Sequence, residues 1–202
     1  MAPSTEALLK DYDFDPTLLE RVSFRKSKDP LVIVEPDPSW PETFNLLKAR
    51  ILSALGSIVV SVKHVGSTSV PGLPAKPVID IDLVVQDVTN EASYVNALEA
   101  AGFQFLLREP AWHEHRFFCG YAPMSCNLHV WGPECPETER HSIFTDWLKG
   151  NEADRELYSR TKRDMAEVSV KNGETVMQYN LRKQEVIRDI LTRAFKHLGY
   201  LD

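Results

Sequence analysis

Asp80 and Asp82 alternate with Ile79, Ile81 and Leu83 in a strongly apolar run that ends at Val85. That period of two describes a strand carrying both carboxylates on one face, with α-carbons about 7 Å apart. Carboxylates this close repel, and one tends to hold a proton unless a cation shares the site. A divalent ion would serve. Mg²⁺ is the natural choice, being typically held by one or two carboxylates together with substrate phosphates. A short way upstream, Gly66, Ser67, Thr68 and Ser69 combine a residue that lets backbone approach a ligand with three hydroxyls. A turn there can aim several N–H groups at one anion, so phosphate is the natural guest. Taken singly, Gly-Ser or Asp-x-Asp is too short to be specific and describes a self-satisfied loop or a solvated strand. Together they suit metal-assisted chemistry at a phosphate.

The flanking elements must present that pair. Ser39 opens a helix, with Glu42 as the partner of a capping box, a buried stripe of Phe44, Leu47, Ile51 and Leu55, and Gly56 as its stop. Residues 57–65 form a strand that brings His64 to the edge of the loop, where it could touch a phosphate or leaving group or, the favoured reading, brace the turn by a hydrogen bond. After the acidic strand come a helix over 90–101, a strand over 103–107, a strand starting at Phe117 and another over 125–131. Three helices follow, at 136–150, 153–170 and 174–198. Leu31–Val34 is a short apolar run suited to a strand, and Thr17–Val22 carries a weak helical pattern. This order predicts an α/β (α+β) fold: a mixed sheet with helices on one side and C-terminal helices closing the cleft. Residues 1–30 form a partly ordered extension, and residues 31–202 the domain itself.

Bulk properties narrow the function. The chain has 202 residues, 43% apolar and 26% charged, with a net charge of −6. That balance disfavours a general nucleic-acid surface and leaves small anionic substrates accompanied by a metal. No apolar run is long enough to span a membrane, and the N-terminus lacks the pattern of a signal peptide, so a cytoplasmic location is expected. Cys119, Cys126 and Cys135 are odd in number and lack Cys-x-x-Cys spacing, which predicts reduced thiols. His113 and His115 lack a third ligand at zinc spacing and read as site wall. Beside them Arg116 is a candidate for bidentate phosphate contact, its alternative being an ion pair with Glu114 or a site aspartate.

The run His64-Val65-Gly66-Ser67-Thr68-Ser69-Val70-Pro71-Gly72-Leu73, followed by Ala75-Lys76-Pro77 and Asp80, resembles the signature of the GrpB family. Trp40-Pro41 with Phe44, His115-Arg116-Phe117-Phe118, Leu128-His129-Val130, Phe144 through Leu148, and Tyr179 with Lys183 extend the likeness over roughly residues 31 to 197. The resemblance implies a nucleotidyltransferase of the polymerase-beta-like superfamily. It implies Asp80 and Asp82 on Mg²⁺ (or Mn²⁺), and His129 as third ligand, base or orienting group. Gly66, Ser67, Thr68, Ser69, Lys76, Arg116, Tyr179 and Lys183 would then hold ATP or another nucleoside triphosphate, a tyrosine stacking on the base. Related sequences often carry His where this one has Asn127, and no third acid lies on the neighbouring strand. Two readings therefore stand: transfer of AMP, or another nucleotide, to an unidentified small molecule, and a nucleotide-binding or regulatory module without turnover. Tyr158 and Lys162 repeat the Tyr/Lys spacing one turn apart and read as an ordinary surface pair.

Overall fold

The computed structural model describes residues 3–27 and 29–202. Its centre is a six-stranded sheet in the order β1-β4-β5-β6-β3-β2, with β1 Glu20–Arg21, β2 Val59–Val65, β3 Ile79–Val85, β4 Phe103–Glu109, β5 His115–Gly120 and β6 Cys126–Trp131. β3 and β6 run parallel, and every other neighbouring pair is antiparallel. The parallel pair is what organises the site. Its register sets Asp80 beside Asn127 and Asp82 beside His129, so all four side chains share one face.

The other face of β3, Ile79, Ile81, Leu83 and Val85, is fully buried with helices α2 (Trp40–Leu55) and α3 (Val95–Ala100). Trp40, Phe44, Leu47, Ile51 and Leu55 recur at helical spacing along α2 and all are buried. Gly56 closes α2 at φ +56°. Helices α4 (Pro136–Gly150), α5 (Glu152–Lys171), α6 (Val176–Arg182) and α7 (Gln184–His197) stand against the acidic face. Leu148, Tyr158 and Ile190 from these helices pack around Val70 and Leu73 of the loop segment. No helix of the described residues is long and apolar enough to cross a membrane. Cys119, Cys126 and Cys135 are free and buried.

Several local expectations are corrected. Ser39 has helical dihedrals and caps nothing with its side chain; Asp37 instead accepts the Ser39 N–H at 2.8 Å, an Asx turn that takes over the helix start. Leu31–Val34 contributes only the single bridge Val34 to Ala75, in a segment bounded by Pro30 and Pro36. The helix expected over 90–101 is a 3₁₀ turn at Glu91–Ser93 followed by the short α3. Thr17–Val22 yields a 3₁₀ turn at Pro16–Leu18 and then β1, which pairs with the edge of β4. The helix expected over 174–198 breaks at Lys183 into α6 and α7. The N-terminal segment lies across the molecule: Leu8, in α1 (Thr5–Leu9), is buried with Ile143, Leu191, Ala194 and Phe195.

Candidate functional site

Gly66 ends β2 at φ +67° and ψ −172°, a region essentially reserved for glycine. A Cβ there would lie 2.3 Å from Asp80 Oδ2, so the absent side chain is what lets the loop close on the carboxylate. Two of the three loop hydroxyls are used internally. Ser69 Oγ donates to Gly66 O at 2.7 Å, and Thr68 Oγ1 donates to Val78 O at 3.3 Å while meeting His64 Nε2 at 3.0 Å. His64 stacks on Phe44, and burial holds it neutral, its pKa pushed down to about 4. It braces the turn as expected. Ser67 instead lies beside the phenol of Tyr158. The Ser67 and Thr68 N–H groups have no hydrogen-bond partner among the described residues.

Three lysines feel the charge of Asp80. Lys76, Lys162 and Lys183 all lie within its electrostatic reach, and among the described residues none of them makes a direct ion pair. Lys162 is no surface residue: it is 2% exposed, donates to Pro74 O and sits 4.9 Å from the Tyr158 ring centre. Its place on the buried line Tyr158, Lys162, Ala166 and Ser169 of α5 is the signal that could have found it. Burial, then the neighbouring Lys183, pushes Lys162 down to about 6, while burial brings Lys183 to about 8. The break between α6 and α7 falls at Lys183 and buries its side chain over the Tyr179 ring at 4.1 Å. Tyr179 is itself buried, and Lys183 occupies the ring face on which a base was expected to stack.

Asp82, two residues on, has a different environment. It is 1% exposed, with Oδ1 accepting from Trp131 Nε1 at 2.9 Å and Oδ2 held by His141 Nδ1 at 2.8 Å. Burial opposes charge on both partners, yet their mutual attraction lowers the Asp82 pKa and raises that of His141 to about 9. The cation that the acidic pair required is thus supplied at Asp82 by His141 of α4. Both carboxylate oxygens of Asp82 are occupied. Sequence reasoning missed His141; its position one turn before Phe144 and Thr145 on α4 was the available signal.

Behind His129 runs a buried relay. His129 Nδ1 lies 3.0 Å from His115 Nε2, and His115 Nδ1 lies 2.7 Å from Glu109 Oε2. Burial lowers His115 to about 3 and His129 to about 4, and raises the Glu109 carboxyl. With Glu109 as a carboxylate, His115 donates to it and His129 donates to His115, leaving the His129 Nε2 lone pair unshared. Asn127 donates to Asp80 Oδ1 at 2.6 Å and accepts from Arg25 at 2.6 Å, which ties the N-terminal segment to the site.

Arg116 is directed elsewhere. Its register partner is Val130 on the helix-backed face, and it pairs there with Glu91 at 2.7 Å and Glu114 at 3.1 Å. The alternation of β5 sends His115 and Phe117 to the acidic face and Arg116 to the other.

Between the N-terminal segment, α4 and α7 lies a cavity of about 290 Å³ whose lining includes Tyr12, Gly66, Trp112, His141 and Phe144. The Trp112 Nε1–H is buried and has no hydrogen-bond partner among the described residues. A buried donor left unpaired costs about 1–3 kcal/mol.

The site thus joins a glycine-opened loop, an acidic central strand and three lysines beside a mixed sheet. The chain belongs to the GrpB family, whose model, described as GrpB protein, matches residues 30–193. Among its relatives, UPF0157 protein BH1888 of Halalkalibacterium halodurans is 43% identical over 164 residues, covering 81% of this chain and 82% of that protein. A protein named dephospho-CoA kinase from Mycolicibacterium paratuberculosis is 28% identical over 194 residues, covering 84% of this chain and 47% of the kinase. The crystal structure of conserved protein GrpB from Enterococcus faecalis shares the fold, with a TM-score of 0.69 at 23% identity over 83% of this chain and 99% of that one.

Proposed function

We propose that the protein is a nucleotidyltransferase that binds ATP with Mg²⁺ and transfers AMP to a small-molecule acceptor, releasing pyrophosphate. The observation that carries this reading is the convergence of Lys76, Lys162 and Lys183 on Asp80 beside the 66–69 loop. Lys76 and Lys183, neither in a direct ion pair among the described residues, lend the site positive potential, and Lys162, brought down to about 6 by burial, can take up a proton when an anion approaches. Free loop N–H groups add donors for phosphate oxygens. The likeness to a protein named for a nucleotide-using kinase is in keeping with this.

The donor set fits Mg²⁺ carried in with its triphosphate rather than a preformed metal centre. Among the described residues no group of three or more His, Cys, Asp or Glu is arranged to hold a metal, and Asp82 is committed to His141 and Trp131. Asp80 remains, and the substrate phosphates would complete the shell. Bound there, Mg²⁺ would stabilise charge on the attacking and leaving oxygens. The lysines hold the outer phosphates, which sets the α-phosphorus near Asp80. The acceptor oxygen or nitrogen bonds to that phosphorus as the bond to pyrophosphate breaks, and His129 Nε2 receives the acceptor's proton. Where the acceptor is a carboxylate, which carries no proton to give, the product is an acyl adenylate that an amine can displace, so ligation is one net outcome.

The test uses α-labelled ATP, Mg²⁺ and a panel of small acids, amines and alcohols together with extract of the source cells. Transfer of label in the wild type and its loss in Asp80→Asn, with metal-free ATP binding held or tightened by removal of the negative charge, is the expected result. If ATP binds but label never leaves it, the protein is a nucleotide-binding module, the reading favoured by the missing third acid.

A further inference from the structure

We infer that the cavity bounded by Tyr12, Trp112, His141 and Phe144 is the seat of an uncharged heteroaromatic ring, the base of the nucleotide whose phosphates rest on the 66–69 loop. The inference rests on the phosphate-binding reading above and assigns the base a place distinct from Tyr179.

Continuity comes first. Gly66 both opens the loop and lines the cavity, and His141, which also lines it, holds Asp82. A ligand with phosphates at the loop and the lysines therefore has its adjoining part beside this space. Charge identifies the class of guest. Each ionic group of the wall already has a partner: Asp11 with Arg140 at 2.7 Å and with Arg188 at 3.2 Å, Glu137 with Arg140 at 3.5 Å, and His141 with Asp82, behind the wall, at 2.8 Å. A charged guest would have to break one of these pairs, whereas a neutral one disturbs none. Shape and polarity complete the description. Tyr12, Trp112 and Phe144 offer aromatic surface, and Ile187 and Leu191 offer apolar surface, which suits a flat ring. Trp112, whose buried Nε1–H has no partner among the described residues, lines the same space. The volume of about 290 Å³ lies at the small end of ligand pockets, enough for a base and too small for a large cofactor.

The outer wall is a property of this chain's N-terminal segment. Asp11 and Tyr12 lie outside the family match, which begins at residue 30, and Tyr12 stacks on Trp112 with ring centres 4.8 Å apart. Base selection is thereby assigned in part to Tyr12, which the phosphate site does not use.

Binding of ATP and of inorganic tripolyphosphate, each titrated calorimetrically, separates the two parts. The wild type should bind ATP at least tenfold more tightly than tripolyphosphate. Trp112→Phe, which keeps a ring against Tyr12 and deletes the N–H, should weaken ATP several-fold and leave tripolyphosphate unchanged. Tyr12→Ala, a change at the half-buried outer wall, should do the same and serves if Trp112→Phe does not fold. Lys183→Gln should weaken both ligands. Equal affinity for ATP and tripolyphosphate in the wild type, or variants at Tyr12 and Trp112 that leave ATP binding untouched, would overturn the assignment while the phosphate site stands. If neither ligand binds the wild type, the phosphate-binding reading itself falls and takes the inference with it.

Discussion

Asp80 and Asp82 share a strand and a face, yet they live in opposite electrostatic settings. Asp82 is sealed from solvent and holds one partner on each oxygen, the Trp131 indole and the His141 imidazolium. Asp80 is partly open, braced on one oxygen by Asn127, and within electrostatic reach of three lysines, none of which makes a direct ion pair among the described residues. A satisfied carboxylate positions; an incompletely satisfied one is available for chemistry. The same contrast separates their basic partners, because His141 is bound to a fixed counter-charge whereas Lys183 is held in burial without one and Lys162 is pushed down to about 6. Burial of that kind is destabilising in the free protein, and an anionic ligand relieves it.

Breaking the sealed side should give the largest effect on the fold. Asp82→Asn keeps an acceptor for Trp131 but leaves His141 without its counter-charge. Loss of a buried ion pair by removal of one partner costs about 3–5 kcal/mol; because the His141 side chain is 31% exposed, we expect about 2 kcal/mol. Asp80→Asn should change stability by less than about 1 kcal/mol. The pH dependence has a definite sign. The depressed Asp82 pKa makes its contribution present above the ordinary carboxylate range and lost as pH falls through the folded value, while the raised His141 pKa makes its contribution lost as pH rises through about 9. The gap between wild type and Asp82→Asn in urea unfolding should therefore close above pH 9. A gap that persists there would mean that packing, not the ion pair, holds Asp82.

A smaller effect on the fold, but a clear one on pH, is expected from Lys162→Met. Lys162 titrates near 6 when folded and near 10 when unfolded, so between those values the unfolded chain binds more protons and wild-type stability rises with pH. Met keeps the length and removes the titration, so the variant should be the more stable near pH 6 and its stability should lose that rise. Tripolyphosphate should bind the wild type more tightly as pH falls from 8 to 6, because the anion favours protonated Lys162, and the variant should lose that component. Parallel pH profiles for the two proteins would remove Lys162 from the anion site.

How much of this was readable beforehand follows from the range of the interactions involved. The common face of Asp80 and Asp82 is a matter of strand period, and the Gly66 turn is a matter of local backbone freedom; both are local and both were legible. So was α4, bounded by Pro136 and Gly150 as expected. The partner of Asp82 was not, because His141 reaches it across 59 residues and only the docking of α4 on the sheet decides the meeting. Lys162 was misread because spacing alone does not say which flank of a long helix is buried. The break at Lys183 was hidden by apolar residues that continue at helical spacing through it, the Thr175 and Gln178 capping box being its nearest local mark. The failure to weigh Tyr12 and Trp112 has the same origin: one stacking contact joins segments 100 residues apart.

The smallest effect on ligand binding should come from Arg116, although a guanidinium beside the proposed phosphate site is an attractive candidate from sequence. Strand alternation puts it on the face that α2 and α3 cover, where Glu91 and Glu114 use its donors and only 6% of its surface remains exposed. A ligand on the acidic face would have to pull Arg116 through the sheet to touch it. Arg116→Gln should therefore leave ATP and tripolyphosphate affinities within twofold of wild type, while the loss of a buried charge-assisted hydrogen bond to Glu91 costs about 1.5–3 kcal/mol in urea unfolding. The two measurements point in opposite directions for the two possible roles. A tenfold loss of tripolyphosphate affinity with unchanged stability would put Arg116 back among the phosphate ligands and would require β5 to rearrange when the anion binds.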